Sequence, residues 1–168
     1  RNGSPAAAEI VTGLGRVGTA GYFVHPDFNP NSFAQEEHDL AVILVGQPVT
    51  SRWYSILSTS DLQPGEQALI AGYGLDELGG FGEFRAGFMN IGAIVTESIA
   101  AQYNGQGSNT CTGDSGGPLL VQRGAEWVIA GVTSNGQLEN CGPGDTSFFV
   151  NLTSASNLSF VLSILAVS

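Results

Sequence analysis

Lysine is missing altogether: the five basic side chains among 168 residues are all arginine, against fifteen Asp and Glu, for a formal net charge of −10. Such a surface repels polyanions, which argues against nucleic acid and anionic membranes as partners. Charge of either sign is scarce at 12%, while hydrophobic residues reach 42%, so the chain has the means to build a core and is too apolar to be disordered. Cysteine and histidine number two each. Two thiols do not complete a four-ligand zinc site by themselves, and a single disulfide between Cys111 and Cys141, with its oxidising compartment, is favoured over a metal centre. No cofactor motif is present. Long hydrophobic runs are missing too: Leu158 to Val167 is too short to span a bilayer, and Arg1 to Glu9 lacks the apolar core of a signal peptide.

What remains is glycine and short apolar runs. The 24 glycines point to many tight turns. Ala41–Val45, Gln67–Ala71, Asn90–Val95, Pro118–Val121 and Trp127–Val132 read as strands, separated by turn signals such as Pro64-Gly65, Asn104-Gly105 and Gly142-Pro143-Gly144. The spacing of Phe160, Val161, Ile164 and Leu165 predicts an amphipathic helix at the C-terminus. A pause in the strand pattern from Ser51 to Glu66 suggests a hinge. The fold class expected is all-β with one short terminal helix. Asn2, Asn151 and Asn157 each begin a glycosylation sequon, weak support for a secreted protein.

One stretch carries chemistry. Gly113-Asp-Ser115-Gly-Gly117 formally fits the strand–turn–helix elbow of α/β-hydrolases, but the helix-hostile Pro118 and a strand-like run follow the serine. Cys111-Thr-Gly-Asp-Ser-Gly-Gly-Pro118 resembles instead, in full, the nucleophile signature of the chymotrypsin-like (trypsin family) serine proteases. The resemblance implies a double β-barrel, Ser115 as nucleophile, and the Gly113 and Ser115 amides as an oxyanion hole, where each donor is worth about 3–4 kcal/mol of transition-state stabilisation.

Further segments resemble the family in its own order. Val24-His25-Pro26-Asp27-Phe28 is similar to the stretch ahead of the catalytic aspartate, and His38-Asp39-Leu-Ala-Val-Ile-Leu44 to the stretch that holds it, so the resemblance assigns Asp39 as the carboxylate that orients the base. Ala71-Gly-Tyr-Gly74 resembles the opening of the second barrel, and Trp127 to Gly136 the strand lining the substrate cleft. Ser134, Asn135 and Gly136 would pair with the backbone of a protein or peptide substrate. Asn109 matches the base of the specificity pocket, beside Thr110, with Gly136 and Ser147 as open walls; an amide rather than a carboxylate there implies a neutral P1 residue. Asn135 stands where the family commonly has an aromatic, and the span from Ala100 to Cys111 is short for the family. The resemblance also implies the Cys111–Cys141 disulfide, closing a loop of about 30 residues worth about 3–4 kcal/mol. It divides the chain into residues 1–58, the remaining part of an N-terminal barrel, and 59–168, a C-terminal barrel with its helix.

The family's histidine context is missing. His25 lies past the expected place, and His38 adjoins Asp39, so in a strand the two side chains would face opposite ways. Strands expected near Ala7–Thr12, Val17–Val24 and Leu40–Val45 make only the later part of the first barrel. Ile10-Val-Thr-Gly13 imitates a mature protease N-terminus but reads as a strand. Two functions follow. The chain is a secreted, extracellular serine endopeptidase chain whose histidine comes from a separate N-terminal protease chain; or it is a catalytically inactive, protease-like binding or regulatory protein.

Overall fold

A computed structural model describes residues 2–3, 9–12, 15–29, 38–49, 54–56 and 61–166. Strands dominate. The first sheet holds β1 (Asn2–Gly3), β2 (Glu9–Thr12), β3 (Gly15–Val24) and β4 (Ala41–Val45), with β3 at its centre. β1 and β4 pair antiparallel with β3 on opposite sides of Tyr22 and Phe23, and β2 pairs antiparallel with its first residues. Leu40 and Val42 turn the same way, at the spacing of two that puts side chains on one face of a strand. They pack with Val150, Leu152 and Val161 from the second half of the chain.

The second sheet follows: β5 (Ser55–Ile56), β6 (Gln67–Gly72), β7 (Arg85–Asn90), β8 (Ala93–Ile94), β9 (Ser98–Gln102), β10 (Pro118–Arg123), β11 (Glu126–Gly136) and β12 (Thr146–Asn151). Its order is β7-β6-β10-β11-β12-β9-β8, with β5 parallel to β11. Ala68 and Ile70 of β6 lie opposite Val121 and Leu119 of β10, and all four are buried with Ile99, Ala130 and Phe149. α1 (Ala155–Leu165) closes the chain, its first turn capped by Ser154, whose hydroxyl accepts the Asn157 N–H at 3.2 Å. Asn157, Val161 and Ile164 form its buried face, at the spacing of a helix stripe.

The expected all-β architecture with one terminal helix is present, its first barrel represented by the smaller sheet. Three local readings change. Asn90–Val95 is two strands, because the Ile91 and Gly92 amides turn to Glu66 and Ala100 and break the ladder. The helix begins three residues before Leu158, where Ser154 supplies a cap that hydrophobic spacing does not register. Two sequons are built into the core. The Asn151 amide donates to the Val95 and Thr96 carbonyls, and the wholly buried Asn157 amide donates to Asn151, so neither is open to a glycan in the fold. Part of the expected hinge, residues 51–53 and 57–60, lies outside the described residues.

Candidate active site

The Cys111–Pro118 stretch is a tight turn pinned to β11. Asp114 N–H reaches Cys111 at 3.0 Å, Gly116 N–H reaches Thr133 at 2.8 Å, and Thr133 N–H returns to Gly117 at 2.8 Å. Gly113 has φ +96°, the left-handed region that favours glycine, and a Cβ there would run into the Phe81 ring. Among the described residues the Gly113 and Ser115 amides have no acceptor, as an anion-binding pair requires. Asp114 turns inward: its carboxylate accepts Gly74 N–H at 2.8 Å and Cys111 N–H at 2.9 Å. A Cβ at Gly74 would collide with that carboxylate, which explains the glycine there. Behind the turn is a cavity of about 690 Å³ bordered by Asp114, Gly74, Arg85, Asn109 and Cys141; Ser115 is not part of it.

Ser115 is exposed, and its hydroxyl donates to the Ser134 carbonyl at 3.1 Å. The Ser134 hydroxyl donates to Asp39 at 2.8 Å. A carboxylate from just ahead of β4 and a hydroxyl from the turn ahead of β10 therefore meet on either side of one residue of β11. Ser134 was expected only as a backbone partner for substrate; its hydroxyl also holds Asp39.

The two histidines go elsewhere. His38 sits at φ 62°, so the chain twists between it and Asp39. Its Nδ1 lies 2.9 Å from Asn157 Oδ1 and 3.7 Å from Glu97, beneath α1. The separation from Asp39 expected of a strand is real, but a left-handed residue produces it. His25 is 3% exposed, stacks on His38 at 4.3 Å, packs on Phe160, and accepts the Asp27 N–H. Burial, then the neighbouring His38, lowers the pKa of His25. Neither ring is aimed at Ser115.

The expected pocket residues gather in a second group. Asn109 donates to the Cys141 carbonyl at 3.0 Å and to Asp145 at 2.9 Å, and accepts the Ser147 hydroxyl at 2.8 Å. Thr110 and Ser147 hydroxyls lie 2.6 Å apart, both buried. Ser147 is thus spent inside the wall rather than lining an open pocket. Asn135 and Gly136 follow a bulge in β11 and pair with Phe148 and Ser147 of β12, leaving Gly136 exposed. Cys111 and Cys141 are joined, tying the serine turn to this group across 30 residues.

One residue of the group escaped sequence reasoning. Asp145 is fully buried, and its Oδ1 accepts the amides of Gln137, Leu138 and Thr146 at 2.7–2.9 Å while Oδ2 takes Asn109. Its only sequence signal is an acid just after the Gly142-Pro143-Gly144 turn, where a solvated aspartate is the ordinary expectation. Among the described residues no group of three or more His, Cys, Asp or Glu is placed to hold a metal ion, and no helix is long and apolar enough to cross a membrane.

Comparison with known proteins gives this geometry a context. The Trypsin family model matches residues 6–158. Clotting factor C of Tachypleus tridentatus is 28% identical over 148 residues, which cover 71% of this chain and 14% of that protein. Mannan-binding lectin serine protease 1 of Homo sapiens is 28% identical over 143 residues, covering 73% of this chain and 20% of that protein. The chain therefore spans a small part of these relatives.

Proposed function

The chain belongs to the trypsin family, and on that premise we propose that it is a serine endopeptidase chain working through Ser115 and an acyl-enzyme. Ser115 attacks the scissile carbonyl, the Gly113 and Ser115 amides hold the oxyanion, and Asp39 orients an imidazole that takes the Ser115 proton and returns it to the leaving amine. The observation carrying this reading is the Asp39–Ser134–Ser115 chain of contacts, at 2.8 and 3.1 Å, with both of the chain's own histidines committed elsewhere. In this reading the base is a histidine outside these 168 residues, on N-terminal protease sequence that completes the first sheet. β4 supports its place of docking: β3 covers one edge of this apolar strand, no described strand covers the other, and Asp39 lies just ahead of it. Val11 and Ile43 are 69% and 50% exposed on the same sheet, as a partner's barrel half would use. Residues 1–58 and 59–168 act as the two barrel units in this scheme, and the disulfide supports a secreted, extracellular setting.

An extended peptide substrate lies along Ser134, Asn135 and Gly136. The Asp145 charge is sealed by four donors and fully buried, so the pocket beside Asn109 presents an amide and takes a neutral P1 side chain. Benzamidine is expected to bind no tighter than neutral benzamide; a tenfold preference for the cation in equilibrium dialysis would overturn this assignment.

A second reading has its own observation: the Ser115 hydroxyl is bonded to a carbonyl, which does not activate it. That suits a protease-like binding or regulatory protein. Intact mass spectrometry of the purified material before and after a fluorophosphonate separates the two. Labelling of Ser115 with a second, histidine-bearing chain in the spectrum supports the enzyme; an unlabelled single species of 17.4 kDa supports the binding protein.

A further inference from the structure

His25 and His38 are the chain's two imidazoles, and both lie against α1 rather than at Ser115. Their rings stack face to face, 4.3 Å apart and 11° from parallel, with Phe160 of α1 packed on His25 at 4.8 Å. The hydrogen bonds fix where each ring keeps its proton. The Asn157 NH2 is given to the Asn151 carbonyl, so its Oδ1 accepts from His38 Nδ1. His25 is the reverse: its Nδ1 accepts the Asp27 N–H at 3.2 Å, which leaves the ring proton on Nε2, 3.4 Å from the Ser156 hydroxyl. An imidazolium carries a proton on both nitrogens. On His25 the second proton would stand against the Asp27 N–H, donor against donor, on a buried ring stacked against another imidazole.

The same residue is tied to Asp39 through the backbone. His25 N–H donates to the Leu40 carbonyl at 2.9 Å, just beyond the last β3–β4 pair, Val24 with Ala41. Leu40 N–H turns back to the His38 carbonyl at 2.7 Å. Asp39 is therefore suspended between His38, held under α1 at φ 62°, and Leu40, buried and paired with His25. From there its carboxylate meets the Ser134 hydroxyl. Among the described residues, the charged groups facing the pair are Asp27, on the turn after β3, and Glu97, ahead of β9. Glu97 lies 3.7 Å from His38 and already holds the Ser154 hydroxyl. α1 brings no charged side chain. Burial, then His38, keeps the His25 pKa below its ordinary value against the pull of Asp27 and Glu97.

We propose that the His25–His38 stack is a proton-sensitive latch that positions Asp39. With His25 neutral, the stack, the Asp27 amide and the Leu40 carbonyl lock the start of β4 beneath α1. A proton on His25 breaks the Asp27 bond, drives the ring out of the stack and shifts this junction toward a state in which Asp39 leaves Ser134. The consequence for catalysis rests on the reading above, in which Asp39 orients the base: acid withdraws that carboxylate from a place remote from Ser115. The opened junction takes up its proton near pH 6.5 and the closed one only below that, so opening grows as pH falls below about 6.5.

Hydrogen–deuterium exchange by mass spectrometry on the purified chain, corrected for the intrinsic rate at each pH, reads the latch whether or not Ser115 reacts. A failure of the catalytic reading shows instead in fluorophosphonate labelling. Protection of peptides covering residues 22–28 and 38–42 is expected to fall by about threefold or more from about pH 7.5 to about 5.5. These peptides are also expected to exchange faster than residues 118–123 throughout, because the junction opens without the second sheet. His25→Asn keeps an acceptor for the Asp27 amide and takes no proton, and its protection should not change over the same interval. Ser134→Ala removes the donor on Asp39 and should raise opening at 22–28 by about threefold or more, since coupling between two sites is reciprocal. Proton–nitrogen correlation spectra of the wild-type rings give a second reading: a neutral His25 with its proton on Nε2, charging in step with the loss of protection. Protection that ignores pH, or that matches residues 118–123, overturns the proposal. So does a His25→Asn chain that responds to acid as the parent does, a Ser134→Ala chain with unchanged protection at 22–28, or a neutral His25 protonated at Nδ1.

Discussion

Replacing Asp145 with asparagine changes one oxygen to an NH2 group and little else in volume. The remaining oxygen keeps the Gln137, Leu138 and Thr146 amides, but these bonds lose the reinforcement of a full negative charge. The new NH2 faces the Asn109 NH2 across 2.9 Å, donor against donor. A hydrogen bond to a charged group is worth about 1.5–3 kcal/mol and a neutral one about 0.5–1.5. Losing one charged bond and weakening three others, less the relief of no longer burying a charge, leaves a destabilisation of about 2–4 kcal/mol. For a chain of 168 residues that corresponds to a Tm lower by about 5–12 °C in calorimetry. If Asp145→Asn is as stable as the parent within about 0.5 kcal/mol, the four-donor account of this wall is wrong.

Reducing the Cys111–Cys141 bond releases a loop of 30 residues and should cost about 3–4 kcal/mol, seen as a fall in the urea midpoint together with an m-value that does not fall, because the freed unfolded chain exposes at least as much surface. Gly113→Ala forces a side chain into φ +96° and the Phe81 ring; fluorophosphonate labelling of Ser115 should fall by about 100-fold or more, and normal labelling would refute the turn geometry. The pKa of His25 is lowered in the fold, so the unfolded chain takes up its proton first. Its contribution is intact above about pH 6.5 and is lost as pH falls below that toward the folded-state value. Asp27 and Glu97 oppose the shift, His38 reinforces it, and Tm should drop between pH 7 and 5. A flat or rising Tm over that interval contradicts the buried, stacked environment.

Several site residues were legible because chemistry fixes them in a contiguous run. Cys111 to Pro118 needs glycines at set places for the backbone to turn, so the pattern survives as a string of letters. β4 was legible as a short continuous apolar run, whereas Asp39 was singled out by the resemblance of His38–Leu44 to a family segment and not by any local pattern. Asp145 was not, because nothing in its neighbours says whether an aspartate after Gly-Pro-Gly faces water or three inward amides.

By itself, then, the sequence determined the elements and the serine turn, both of which depend on residues near one another in the chain. The tertiary structure decided what those elements face. It sent His38 under α1 and Asp39 to Ser134, although they are neighbours, because a positive φ at His38 and the burial of Leu40 rotate the chain between two packed sheets. It also turned two sequon asparagines into internal struts and gathered Asn109, Asp145 and Ser147 into one wall. Those outcomes are set by contacts between residues tens of positions apart, whose energies no local window contains.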